Sequence, residues 1–137
     1  MAEKDPLQVA VRALRHRDLS AAAVEARLER AGVGEPEREA ALETLRRVGY
    51  VDDARFAERR ARQLAERGWG NAGIAADLER QGVDAGAAEV AIALLEPEAD
   101  RARAIVTRRG HGPKTAAYLL RHGFDADAAG LSIADEA

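Results

Sequence analysis

The chain is expected to be all-α, three tandem three-helix repeats forming an elongated, curved helical protein. Two observations carry this expectation. Four times a leucine is followed four residues later by glycine and then by a bulky apolar residue, at Leu28/Gly32/Val33, Leu45/Gly49/Tyr50, Leu78/Gly82/Val83 and Leu119/Gly123/Phe124. That spacing ends a helix, because glycine takes the left-handed conformation at C′ while the apolar residue behind it folds back on the leucine at C3. The stops are also in register. A shift of 50 residues lays Leu19, Ser20, Val24, Leu28, Gly32 and Val33 onto Trp69, Gly70, Ile74, Leu78, Gly82 and Val83. A shift of 41 then brings Leu119, Gly123 and Phe124 onto the same pattern, with Thr115 where the earlier copies carry Val24 and Ile74. The third repeat is therefore divergent, and the expected bounds are 1–51, 52–96 and 97–137.

Composition agrees with that architecture. Alanine, leucine, glutamate and arginine, all good helix formers, make up most of the 137 residues, and no β-branched run could form a strand. Only five aromatic residues are available for cores, so small helix interfaces should dominate. Cysteine is absent, which excludes disulfides and thiolate metal sites and fits a reducing compartment. The charged start, Met1 to Asp5, precedes no apolar leader core, and no stretch reaches the roughly 18 apolar residues of a membrane span. A soluble, cytoplasmic monomer is expected.

The elements follow in order. Leu7, Val11 and Leu14 form a helical stripe to about His16. Ser20 caps a second helix, with Leu19 stapled to Val24, and Gly32 ends it. A third starts around Pro36, a residue suited to a first turn, and runs to Gly49. The second repeat opens at Asp52, with Val51 stapled to Phe56. Its first helix ends near Gly68, its second spans Gly70 to Gln81, and its third spans about Gly86 to Leu95. Glu96-Pro97-Glu98 separates the third repeat, where Asp100 to Arg109 and Pro113 to His122 form helices. A weak last helix from Asp125 to about Ala134 frays in an acidic tail.

The middle junction carries a resemblance. Gly49-Tyr50-Val51-Asp52-Asp53-Ala54-Arg55-Phe56, followed by Arg67-Gly68-Trp69-Gly70 and then Ile74, Leu78 and Gln81-Gly82-Val83, resembles the signature of the RecX family, regulators of the RecA recombinase. The likeness extends over nearly the whole chain. It implies a protein that binds RecA filaments on single-stranded DNA and limits their growth, ATPase cycle and strand exchange, within recombination, DNA repair and the SOS response. The third repeat departs from the pattern in its short connector Gly110-His111-Gly112-Pro113 and in Ala116-Ala117. The motif also has a structural reading: Asp52 and Asp53 suit a helix start, where a cap and a negative charge are both favourable. Tyr50, Phe56 and Trp69 read as core or staple residues that fix the angle between repeats.

No chemistry-bearing constellation competes with a binding role. There is no phosphate loop and no H-E-x-x-H pair, and His16, His111 and His122 are too scattered for a metal site, so no cofactor and no catalysis are expected. Charge is the remaining lead. The net charge is only −3, yet Arg101, Arg103, Arg108, Arg109, Lys114 and Arg121 fall in a segment without acids, while the tail from 125 has four acids and no base. Arg101, Arg103, Arg108, Lys114 and Arg121 are candidate contacts for an acidic partner surface or for DNA phosphates. Arg109 falls on the apolar side of its helix and reads equally as a snorkelling packing residue. Arg55, Arg59 and Arg62 share a helix face and are further candidates, although Glu58 and Glu66 could hold Arg62 in a salt-bridge ladder instead. A stand-alone nucleic-acid binder of helix-turn-helix-like units is the alternative function. Ser20-Ala21-Ala22-Ala23 and Gly70-Asn71-Ala72-Gly73 give it few side chains for reading bases.

Overall fold

The structure of the chain, a computed structural model, describes residues 5–130. Nine helices and no strand occur among them: α1 Pro6–His16, α2 Ala21–Arg30, α3 Glu35–Arg47, α4 Asp53–Glu66, α5 Asn71–Arg80, α6 Ala85–Ala93, α7 Glu98–Arg109, α8 Pro113–Arg121 and α9 Ala126–Gly130. The charged start before Asp5, the expected continuation of the last helix toward Ala134 and the acids of the tail beyond 130 lie outside the described residues.

Local chemistry explains where these helices begin and end. Asp5, Ser20, Asp52, Asp84 and Asp125 each accept a hydrogen bond from an amide in the first turn of the following helix. At the other ends the Schellman pairs form as the spacing predicts. Gly82 N–H donates to Glu79 O at 2.9 Å and Val83 N–H to Leu78 O at 3.0 Å, with the same pair of bonds at Gly32, Gly49 and Gly123. A fifth stop of this kind, Leu64/Gly68/Trp69, ends α4 through Gly68 N–H to Ala65 O and Trp69 N–H to Leu64 O. It obeys the same spacing rule as the other four.

The helices pack in threes, α1 to α3, α4 to α6 and α7 to α9, around three separate apolar clusters. Leu28 and Leu45 anchor the first, Leu64, Ile74 and Leu78 the second, and Leu119 with Phe124 the third. Alanine fills the close contacts between them, as the aromatic-poor composition requires. Two expectations for the junction fail. Tyr50 is 56% exposed rather than a core residue, although the stop at Gly49 has the same backbone bonds as those before the buried Val83 and Phe124. Val51 is buried in the first cluster, whereas Phe56 belongs to the second, so the staple between them does not form.

The units join through the ends of their middle helices. The start of α2 sits on the C-terminal turn of α5: Ser20 Oγ donates to Gln81 O at 2.6 Å, and Ala21 N–H donates to Asp53 Oδ1 at 2.8 Å. One unit further on, the start of α5 sits on the C-terminal turn of α8. Gly70 N–H donates to His122 O at 2.7 Å, Ala72 N–H to Gly123 O at 3.1 Å, and Asn71 N–H to Glu98 Oε2 at 2.6 Å. Each joint thus sets the positive end of one helix dipole against the negative end of the next. In both, the first residue of the following unit's leading helix supplies a carboxylate, Asp53 from α4 and Glu98 from α7.

This arrangement distinguishes two glycines that the sequence treats alike. Gly32 and Gly82 both have φ near +85°, but a Cβ at Gly32 meets open space, while at Gly82 it falls on Ala22 Cβ across the joint. Gly32→Ala is expected to cost about 1 kcal/mol, the strain of a left-handed residue with a side chain. Gly82→Ala should cost more, by at least about 1 kcal/mol, because Ala22 must also move. Equal shifts in urea midpoint for the two variants would contradict the joint.

Candidate functional site

The eight cations singled out as contacts do not form one surface. Arg101 is the clearest departure. Only 9% of it is exposed, and its guanidinium donates to Glu96 O at 2.8 Å, to Trp69 O at 2.9 Å and to Asn71 Oδ1. It also lies over the Phe124 ring, 5.8 Å from the centroid. Burial lowers its pKa, opposed by the neighbouring Glu98 and Glu96 carboxylates, which favour the charged form. Arg101 therefore ties the second unit to the third and presents no charge to a partner. The solvated role expected for it is corrected on that ground.

Other candidates are already engaged. Arg103 pairs with Asp100 at 2.7 Å on the exposed face of α7. Arg55 donates to Gly49 O at 3.1 Å, and Arg59 reaches Asp18 of the first unit at 3.6 Å. The ladder through Glu58 and Glu66 does not form: no ion pair holds Arg62 among the described residues. Arg109 lays its guanidinium on the Tyr118 ring, 3.9 Å from the centroid, and Tyr118 stacks in turn on His122. That contact accounts for its place on the apolar side of α7.

Arg62, Arg108, Lys114 and Arg121 remain exposed without an ion pair among the described residues. Two of them, Arg62 from α4 and Arg108 from α7, line one groove between the second and third units, together with the carboxylate residues Glu66 and Glu96 and the apolar Leu95 and Ile105. Arg121 lines a different groove, with Trp69 and His122. Lys114 is exposed in the first turn of α8.

Several motif residues make contacts within the protein. Asp52 caps its own helix at Arg55 N–H, whereas Asp53 caps α2 of the preceding unit. Gly70 is buried against the backbone of Gly123 and Phe124, where any Cβ would collide. Trp69 packs on the second cluster beside Ile74. No group of three or more histidine, aspartate and glutamate side chains among the described residues could hold a metal ion.

A part-buried ion pair between two helices is absent from the sequence expectations. Arg60 Nε donates to Asp77 Oδ1 at 2.7 Å and Arg60 Nη2 to Asp77 Oδ2 at 2.9 Å, a two-pronged pair between α4 and α5. The Arg60 hydrogen bond holds the Asp77 carboxyl below the usual range, against the opposing effect of burial, and the same bond raises Arg60. A signal exists in the chain. On a helical wheel Arg60 falls between Phe56, Ala57 and Leu64, and Asp77 falls beside Ile74 and Leu78, so two opposite charges share facing apolar arcs.

Two outcomes check these assignments. Arg101→Ala should lower stability by at least about 2 kcal/mol, since it strips partners from the part-buried Glu96 and Trp69 carbonyl oxygens and empties the space of a buried side chain, and a melting temperature equal to that of Arg108→Ala would overturn the joint role. Asp77→Asn should cost about 2 kcal/mol at neutral pH by leaving Arg60 without its counter-charge. The folded pKa of Asp77 lies below its unfolded value, so the pair stabilises fully above about pH 4 and loses that contribution as pH falls through the lower folded value. The gap between wild type and the variant should close in acid. A gap that persists unchanged down to about pH 2 would show that ionisation of Asp77 is not its source.

Comparison with known proteins agrees with the fold and the motif. Residues 52–92 match the family model described as RecX, second three-helix domain. A regulatory protein RecX of Stenotrophomonas maltophilia is 34% identical over 135 residues, covering 91% of this chain and 83% of the relative. One from Xanthomonas campestris pv. campestris is 32% identical over 140 residues, covering 95% and 86%. Among solved structures, the crystal structure of RecX from Lactobacillus salivarius superposes with a TM-score of 0.79 at 21% identity, over 93% of this chain and 91% of that one. A crystal structure of regulatory protein RecX gives 0.80 at 19% identity, over 96% and 72%. With α4 to α6 matching the second three-helix domain and a third of the residues shared along almost the whole length, this chain belongs to the RecX family of regulatory proteins.

Proposed function

We propose that this protein acts without catalysis, as a cytoplasmic monomer that binds RecA filaments on single-stranded DNA and limits their ATPase activity, growth and strand exchange. The observation that carries the reading is the family relationship over nine-tenths of the chain, because the relatives are named as regulatory proteins. The arrangement of charge supports it. Arg62 and Arg108 have no ion pair among the described residues and share a groove that spans two units, while Lys114 and Arg121 are further exposed cations of the third unit. A surface spread over successive units suits a partner that is itself periodic, where many weak contacts add. Solvated cations of this kind attract an acidic protein surface or DNA phosphates held within a filament, and their effect falls as salt rises. No helix among the described residues is long and apolar enough to cross a membrane.

ATP hydrolysis by RecA on single-stranded DNA, followed with increasing amounts of this protein, tests the reading. Suppression well below one molecule per recombinase subunit is expected, and unchanged hydrolysis with an excess of folded protein would remove it. Co-sedimentation with filaments, compared with naked DNA, separates this function from stand-alone nucleic-acid binding. Reversing Arg62, Arg108, Lys114 and Arg121 to glutamate should leave melting within about 0.5 kcal/mol per site, weaken filament binding and flatten its salt dependence. Reversing Arg55 and Arg59, which are engaged within the protein, is the matched control. Wild-type binding by the fourfold variant across a salt titration would rule out this surface as the docking face.

A further inference from the structure

The first unit holds a second concentration of positive charge that the filament reading does not use. A groove of about 700 Å³ runs between α1 and α2, lined by Arg12, His16, Arg27 and Arg30, with buried Ala13 and half-buried Val9 between them. Among the described residues one acid, Asp5, stands at its edge, and its carboxylate is already committed to capping α1 at Leu7 N–H. No ion pair or side-chain hydrogen bond engages any of the four basic side chains among the described residues.

The repeat shows that this concentration is not demanded by the fold. α2 and α5 are offset by 50 residues, as are the ends of α1 and α4, so the two units compare position by position. In the second unit Asp77 lies between Arg60, at 2.7 Å, and Arg80, at 3.8 Å, and pairs with both, offsetting one of the two charges. In the first unit the place of Asp77 is taken by Arg27, that of Arg60 by Ala10 and that of Arg80 by Arg30. The internal counter-ion has been exchanged for another cation. Arg12 corresponds to Arg62, so the positive edge of the groove is kept while its neutralising centre is inverted. Unpaired like charges this close repel one another, and a bound anion relieves that repulsion.

We propose that this groove docks an acidic segment of a protein partner, a peptide bearing carboxylates on one side and small apolar side chains on the other. Arginine forks at the rims match carboxylates two-pronged, and Val9 with Ala13 offers an apolar strip between them that phosphates would not use. Among the described residues no tryptophan, tyrosine or phenylalanine lines the groove to stack a base, which sets it apart from single-stranded nucleic-acid sites. The site goes beyond the filament reading and stands independently of it, because it is defined by the first unit alone.

Fluorescence anisotropy of the full chain tests it with a short labelled peptide of Glu, Ala and Val, a matched peptide with Gln for Glu, and labelled oligothymidylate. The Glu peptide should bind at least about tenfold more tightly than the Gln peptide. Reversing Arg12, Arg27 and Arg30 to glutamate should weaken that binding by about tenfold or more, while reversing Arg46 and Arg47, exposed on α3 outside the groove, should change it by less than about twofold. A milder variant, Arg27→Gln with Arg30→Gln, guards against misfolding and should fall between. Three results would overturn the proposal: no binding of the Glu peptide, binding unaffected by the arginine reversals, or oligothymidylate held by the same arginines and not displaced by the Glu peptide.

Discussion

The first amides of a helix have no partner within it, and in this protein that requirement is what joins one unit to the next. The starts of α2 and α5 are set against neighbouring units, so their free amides must be matched there or lose their hydrogen bonds to water. At α5 the cap residue, Gly70, has no side chain to help. Its own amide and those of Asn71 and Ala72 are satisfied by His122 O, Glu98 and Gly123 O. The close approach that makes these bonds possible is also what forbids a Cβ at Gly70. At α8 the series ends: Pro113 has no amide hydrogen, and it stands where the shift of 41 puts Ala72, whose amide makes the joint before it.

The joints decide which charges remain for binding. Asp53 and Glu98 are committed to amides of the preceding unit, and Arg101 to the carbonyl of Trp69 and the side chain of Asn71. Arg60 and Asp77 neutralise each other within the second unit. Of the chain's 21 lysines and arginines, eight described ones are thereby held within the protein. Part of the remainder lines the groove where the second unit meets the third, and part lines the groove along α1 and α2, where the internal acid is missing. Since the net charge is −3, these are local features of an acidic molecule, and they favour selective docking over general attraction to polyanions.

Helix boundaries are legible in the sequence because they depend on neighbours in the chain. A leucine, glycine and apolar residue at fixed spacing close a helix through bonds within six residues, and Ser20 or Asp52 opens one through a bond three residues away. The register of Leu28, Gly32 and Val33 with Leu78, Gly82 and Val83 is legible for the same reason. Arg60 and Asp77 are legible in principle, as opposite charges on apolar arcs of adjacent helices. Tyr50 misleads because an aromatic residue after a glycine stop has the same local pattern whether it faces the bundle or solvent.

By itself the sequence determined an all-α chain of repeating helices, where each helix stops, and a family motif at the junction of the first two units, all of them consequences of short-range backbone bonding and apolar spacing. Tertiary structure alone decided which carboxylate caps which helix and which arginine is buried. Ser20 meets Gln81 across 61 residues, Ala21 meets Asp53 across 32, and Arg101 meets Trp69 across 32. Asp52 and Asp53 are the same side chain one position apart, yet one caps its own helix and the other a helix of the preceding unit. The difference lies in where the neighbouring unit sits, and that is set by packing between helix ends rather than by any local pattern in the chain.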